Sequence, residues 1–133
     1  MWNKYGNKKV TTAEGTFDSK GEYARWLFLK DAERRGEIKD LQRQVRFSLV
    51  PPVHYYKTVQ LKTKTKQVER LWTQEVTYTA DFVYSFQGAT VVEDFKGMPN
   101  DRWPIKKALM AFVHGIYVRE VRRPAEPITN TEQ

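Results

Sequence analysis

The sequence predicts one mixed α/β domain whose core runs helix, strand, strand, strand, helix, strand around a central sheet. Three observations predict it. The chain has 133 residues, enough for one compact domain and short for two. Hydrophobic residues make up 40%, which supplies a packed core and argues against wholesale disorder. Apolar spacing is helical over 20–35, strand-like from 43 to 96, and helical again from Asn100.

The elements follow in order. Residues 8–17 (KKVTTAEGTF) read as a short hairpin turning at Glu14 and Gly15. Asp18 and Ser19 precede a helix that runs to about 35, and Gly36 stands where a C-terminal glycine belongs. Tyr23, Trp26, Leu27, Leu29 and Ala32 lie near one broad face of it. Residues 43–50 (RQVRFSLV) form a strand halted by Pro51 and Pro52. The stretches 53–62 and 67–79 make two strands of a ribbon around KTKTK, so that 53–75 is a basic insertion. Residues 76–86 and 90–96 carry the β-branched and aromatic side chains of central strands. The second helix begins at Asn100 or Asp101, holds Pro104 in its first turn and ends at His114-Gly115. A short strand, IYVREV, closes the core. The domain therefore spans 1–123, and the polar, proline-containing tail of 124–133 is expected to be disordered.

Composition excludes several chemistries. Without cysteine there is no disulfide framework, no cysteine-ligated metal site and no thiol nucleophile. The N-terminal MWNKYGNKKV has no apolar run, so no signal peptide is expected, and no stretch has the ~20 apolar residues of a membrane span. A soluble protein of the cytoplasm is the expectation. His54 and His114 lack the spacing of a metal pair, and there is no glycine-rich phosphate loop.

Charge points to a partner. Lys and Arg number 23 against 16 acids, a net charge of +7, which suits an anion and above all nucleic acid. Lys4, Lys8 and Lys9 stand in an N-terminal arm without acids. Lys57, Lys62, Lys64, Lys66 and Arg70 stand in 54–70 against Glu69 alone. Tyr55, Tyr56 and Trp72 are interleaved with them, a pattern that suits stacking on bases as well as ordinary strand packing.

Gln87 and Gly88 separate the two clearest strands as a two-residue hairpin loop. That register sets Val83 against Val92, Phe82 against Glu93 and Asp81 against Asp94, with the two aspartates on one face about 5 Å apart between β-carbons. Alternation adds Lys96 to the face of Asp94 and turns Glu93 to the other. Like charges directly opposed in a sheet are destabilising. The pair therefore lies exposed in an ordinary ladder with Lys96, or it is central and shares a proton or a cation, for which two carboxylates suit Mg²⁺ or Mn²⁺. Glu22 is a third acid, on the helix face of Trp26 and Leu29. The run Ser19-Lys20-Gly21-Glu22 also matches a capping box, the simpler reading of that glutamate.

Together these residues resemble the PD-(D/E)XK nuclease superfamily. Its signature reads here as Ala80-Asp81 followed by Asp94-Phe95-Lys96, with Glu22 in FDSKGEYARW at the position of the helix glutamate. The ordered string KYGNKKV, FDSKGEYARW, GEIKDLQRQVRF, YTADFVY and VVEDFKG, over most of residues 4–121, is similar to the short phage-encoded proteins catalogued as domain of unknown function 1064. The chain lacks the superfamily's proline before the first aspartate. The resemblance implies a restriction-endonuclease-like core and metal-dependent phosphodiester hydrolysis of the Holliday-junction-resolvase type. It implies that Asp81, Asp94 and the backbone carbonyl of Phe95 hold Mg²⁺ or Mn²⁺, that Glu22 holds a second ion or a water, and that Lys96 orients or helps deprotonate the attacking water. Gln44 is a further neighbour of that set by the resemblance and a polar edge residue by the simpler reading, and Glu93, which alternation turns to the other face, is structural or stands behind the set.

The expected function is then a DNA endonuclease for branched or structured DNA in phage recombination or packaging. A non-catalytic nucleic-acid-binding module of the same fold and a nonspecific nuclease are the alternatives. Resolving a junction needs two symmetric cuts, which makes a homodimer the expected assembly, joined through the 53–75 ribbon or the N-terminal hairpin.

Overall fold

In the computed structural model, which describes residues 8–96 and 100–130, a four-stranded mixed sheet lies between two helices. In chain order the elements are β1 (Val10–Thr12), β2 (Gly15–Phe17), α1 (Lys20–Arg34), β3 (Lys39–Val50), β4 (Val53–Gln60), β5 (Thr65–Thr73), β6 (Val76–Phe86), β7 (Ala89–Phe95), α2 (Arg102–His114) and β8 (Arg119–Val121). The sheet order is β3-β6-β7-β8. The first two pairings are antiparallel, and β7 pairs with β8 in parallel because α2 carries the chain across between them. Among the described residues no helix is long and apolar enough to cross a membrane.

The two sheet faces are packed by different helices. Leu29 and Ala32 of α1 pack with Phe82, Tyr84, Val91 and Phe95. Trp103 and Met110 of α2 pack with Leu49, Tyr78, Ala80 and Val92 on the other side. The buried stripe of α1 runs through Glu22, Arg25, Leu29 and Ala32, whereas Leu27, expected on that stripe, is 44% exposed. Two charged residues thus occupy half of the buried face.

The edge strand β3 and its neighbour β6 exchange faces part-way along. Leu41 and Phe82 pack on the α1 side, whereas Phe47, Leu49, Tyr78 and Ala80 pack on the α2 side. Strict alternation would put Leu41 with Phe47, and Phe82 with Tyr78. The β3–β6 register is nevertheless continuous from Gln42–Val83 to Ser48–Thr77, so the two strands turn over together. Gln44, in the middle of that stretch, has the left-handed φ of 54°, and the register sets it opposite Asp81.

Several boundaries differ from the sequence reading. β3 starts at Lys39 rather than 43, through a register shift next to Asp40 at φ 56°. The first hairpin turns at Ala13-Glu14, because Gly15 already pairs with Thr12 and the Thr12 hydroxyl accepts the Glu14 N–H at 3.1 Å. The tail is held rather than free over its described part. Arg25 Nη1 donates to the carbonyls of Pro124 (3.1 Å) and Glu126 (2.5 Å), Arg119 Nη2 donates to that of Pro127 (2.5 Å), and Ile128 packs on the α1-side core. β4 and β5 form a separate two-stranded ribbon, exposed along almost its whole length.

Candidate active site

The first turn of α1, the turned-over part of β6 and the end of β7 meet around two carboxylates. Glu22 is only 3% exposed. Its capping box forms by half: Ser19 Oγ accepts from the Glu22 N–H at 3.1 Å, but Glu22 Oε2 accepts from Asp18 N–H (3.4 Å), one residue before the cap. The same carboxyl neighbours that of Asp81 closely enough for each to shift the other's titration. Glu22 therefore steadies the helix start and also belongs to an acid pair. Gly21 allows this placement, since a Cβ there would stand 2.9 Å from the Phe95 ring. A glycine inside a helix costs about 0.5–1 kcal/mol relative to alanine, and that cost was the one sequence signal for this residue.

Asp81 is gripped at both oxygens. Oδ1 accepts from Gln44 Nε2 at 3.3 Å and Oδ2 accepts from the Phe95 N–H at 2.7 Å. Gln44 thus stands beside the aspartate, and its left-handed backbone is strain held at the site. Burial, and then the Glu22 charge, pushes the Asp81 carboxyl up to about 7, against the pull of the Phe95 N–H. Burial raises Glu22 as well, with the Asp18 charge adding to it while the Asp81 carboxyl and Arg43 oppose it. Two neighbouring carboxyls hold a common proton well above the ordinary carboxylate range.

The other expected residues are distributed differently. The β6–β7 register runs from Phe86–Ala89 to Phe82–Glu93 as the two-residue loop requires. One more step would oppose Asp81 to Asp94, but the face exchange turns Asp81 toward α1. Asp94, 5% exposed, stays on the α2 side, where its Oδ2 accepts from the Tyr78 hydroxyl at 2.7 Å. Burial and the charges of Asp94, Asp81 and Glu120 raise the Tyr78 phenol above its usual value. Glu120, paired in register with Asp94, is an acid that the sequence reading passed over, and it accepts from Lys107 Nζ at 3.0 Å. Lys96 leaves the strand alternation: β7 ends at Phe95, Lys96 turns to φ 70° and its N–H goes to the Val121 carbonyl at 2.6 Å. Its Nζ lies 6.0 Å from the Phe95 ring centroid.

Glu93 points to the opposite face, as alternation requires, and serves as a strut there. It and Arg25 are both fully buried, joined by Nε–Oε1 (2.9 Å) and Nη2–Oε2 (2.7 Å) bonds. The Tyr84 hydroxyl donates to the same carboxylate, and Arg119 Nη1 stands 3.6 Å away. Among the cations expected to meet nucleic acid, Lys8, Lys9, Lys57, Lys62, Lys64, Lys66 and Arg70 are exposed, and Lys4 lies outside the described residues.

Among the described residues no three histidine, aspartate or glutamate side chains gather closely enough to hold a cation. Glu22 and Asp81 still fit a hard divalent ion. They offer neighbouring, electrostatically coupled carboxylates, and their mutual repulsion is relieved by a proton that such an ion would displace. A pH test follows. The Asp81 carboxyl holds its proton up to about 7 when folded and only to 3.8 when unfolded, so between those values the folded state binds more protons. Its contribution to stability is therefore present below the lower value and lost as pH rises through the upper one. Thermal melts in EDTA are expected to show Asp81→Asn gaining Tm relative to the unsubstituted protein between about pH 4 and pH 7. A constant difference across that window would remove the shared proton.

No curated protein and no solved structure matches the chain. A family match does exist, and it covers nearly all of the described core. The chain belongs to the family described as "Protein of unknown function (DUF1064)", which matches it over residues 2–122.

Proposed function

We propose that the protein is a Mg²⁺- or Mn²⁺-dependent DNA endonuclease of the PD-(D/E)XK type, selective for branched or structured DNA such as a four-way junction. The observation that carries the reading is the Glu22–Asp81 pair, in which Glu22 is buried and Asp81 half-buried. Setting two acids against each other is a cost that a helix cap does not require, so the pair marks a site kept for chemistry. The superfamily resemblance supplies the reaction class and the restriction-endonuclease-like reading of the αβββαβ order.

In this reading Glu22 and Asp81 hold the ion; the superfamily resemblance adds Asp94 and the Phe95 carbonyl to its ligands, although Asp94 is bonded to Tyr78 on the α2 side. A bound divalent ion polarises the phosphodiester and lowers the pKa of a water. Gln44 and the Phe95 N–H fix the Asp81 rotamer by occupying one lone pair on each oxygen. Tyr78 holds Asp94 in place through its hydroxyl. Lys96, at the exit of β7, offsets charge as it develops on the phosphate. A homodimer supplies the two cuts a junction needs, acting on phage DNA in the host cytoplasm. The apolar outer side of α2, with Ile105 at 62% and Phe112 at 87% exposure, offers it a surface better than the N-terminal hairpin does.

The bond of Asp94 to Tyr78 favours a second reading, a nucleic-acid-binding module that kept the fold without the chemistry. Incubation of a four-way junction and a supercoiled plasmid with Mg²⁺ separates the two. Glu22→Gln sharpens that assay, because glutamine can still accept the Asp18 N–H. Cleavage should fall about a hundredfold or more while Tm stays within a few degrees. Unchanged cleavage would leave Glu22 as a helix cap alone.

A further inference from the structure

The β4–β5 ribbon has two chemically different faces. On one, the register pairs Tyr55 with Arg70, Lys57 with Val68, and Val59 with Lys66. Each rung there joins one cation to one aromatic or aliphatic side chain, and the cations alternate between the strands at about 7 Å per rung. On the other face Tyr56 pairs with Glu69, Thr58 with Gln67, and Gln60 with Thr65. That face carries an acid and no lysine or arginine. Lys62 and Lys64 add charge at the tip, where the Leu61 N–H donates to the Lys64 carbonyl at 2.7 Å. At the base a register shift between Val53 and His54 brings Trp72, 69% exposed, edge-on to Tyr55 at 5.5 Å.

A projecting ribbon gains nothing from sorting its charges onto one side unless that side meets an anion. On this face the aromatics Tyr55 and Trp72 sit together at the base, while every rung carries a cation. A path for stacked single-stranded bases would instead space the aromatics along the ribbon. The major groove of B-form DNA, about 12 Å wide, admits a two-stranded ribbon, whereas that of A-form RNA is too deep and narrow for side chains to read. We infer that the Tyr55–Lys57–Lys66–Arg70 face of the ribbon docks in the major groove of double-stranded DNA, leaving the Tyr56–Glu69 face to solvent. The inference rests on DNA being the partner proposed above, and it is independent of cleavage.

Fluorescence anisotropy of the full chain in EDTA tests it, with a B-form duplex, the matching single strand and an RNA duplex as probes. Lys57→Gln, Lys66→Gln and Arg70→Gln together should weaken duplex DNA binding about tenfold or more and reduce the log–log salt slope by about 2.7. A second variant adds Thr58→Lys, Gln60→Lys and Gln67→Lys, which restores the net charge on the wrong face. It should stay weak. Recovery of affinity in that variant would overturn the inference, and so would tighter binding of the single strand or the RNA. A change from dimer to monomer in sedimentation of the first variant would also overturn it, by making a second copy the occupant of this face. Face-dependent binding without any cleavage of junctions would defeat the endonuclease reading alone. Cleavage with face-independent binding would defeat this inference alone.

Discussion

Asp81→Asn is expected to lower cleavage of a four-way junction by about a thousandfold or more while duplex affinity in EDTA holds or tightens. The aspartate lies where three constraints meet: Gln44 on one oxygen, the Phe95 N–H on the other, and Glu22 against the carboxyl. Asparagine keeps an oxygen for the Phe95 N–H and turns its NH2 toward Glu22 and toward Gln44, whose amide flips to accept it, so the local backbone survives. It removes the charge that repels Glu22, and above neutral pH the variant should melt higher than the unsubstituted protein. A change that both stabilises and inactivates is what a strained functional site predicts, since a structural residue would lose stability and activity together. Gel analysis of junction products beside thermal melts at pH 8 reads both effects. Retained cleavage in Asp81→Asn would end the assignment of this site.

The largest loss of stability is expected at Arg25→Ala. Both members of the Arg25–Glu93 pair are fully buried, and removing one leaves the other charge uncompensated, at about 3–5 kcal/mol. The penalty falls on a total stability that is usually about 5–15 kcal/mol. Arg25→Lys should recover only part of it, because one ammonium cannot reach two carboxylate oxygens and the carbonyls of Pro124 and Glu126 together. Urea unfolding followed by circular dichroism checks this through a lower midpoint at unchanged slope. A shift worth under about 1 kcal/mol would show that water reaches the pair.

Where the chain obeys local periodicity, the sequence was readable. The αβββαβ order, the Gln87-Gly88 hairpin with its register, and the left-handed stop at Gly115 are each set by residues a few positions apart. The site was only half legible, for reasons that can be named. The Asp81–Asp94 opposition assumed that strands keep their faces, and the coordinated turnover near Gln44 breaks that assumption without disturbing the register. Lys96 was placed by alternation one residue past the end of alternating backbone. Arg25 went unremarked because a hydrophobic search of α1 cannot find a face that is half charged. Its partners stand on another strand and on the tail, which also explains why a polar, proline-containing segment looked free.

The reach of Arg25 has a kinetic side. Its bonds to Glu93, Pro124 and Glu126 span 68, 99 and 101 residues. Closing loops of that size costs entropy before any contact returns it, and topologies rich in such contacts fold slowly. The α1 side of the sheet can therefore close only after β7 is paired and the tail has arrived, so these bonds form late and act mainly as a brake on unfolding. Synthesis from the N-terminus delivers α1 early and its counter-charge much later. Through that interval the helix carries a guanidinium without its Glu93 partner, and it stays hydrated and undocked until the last long-range partners reach it.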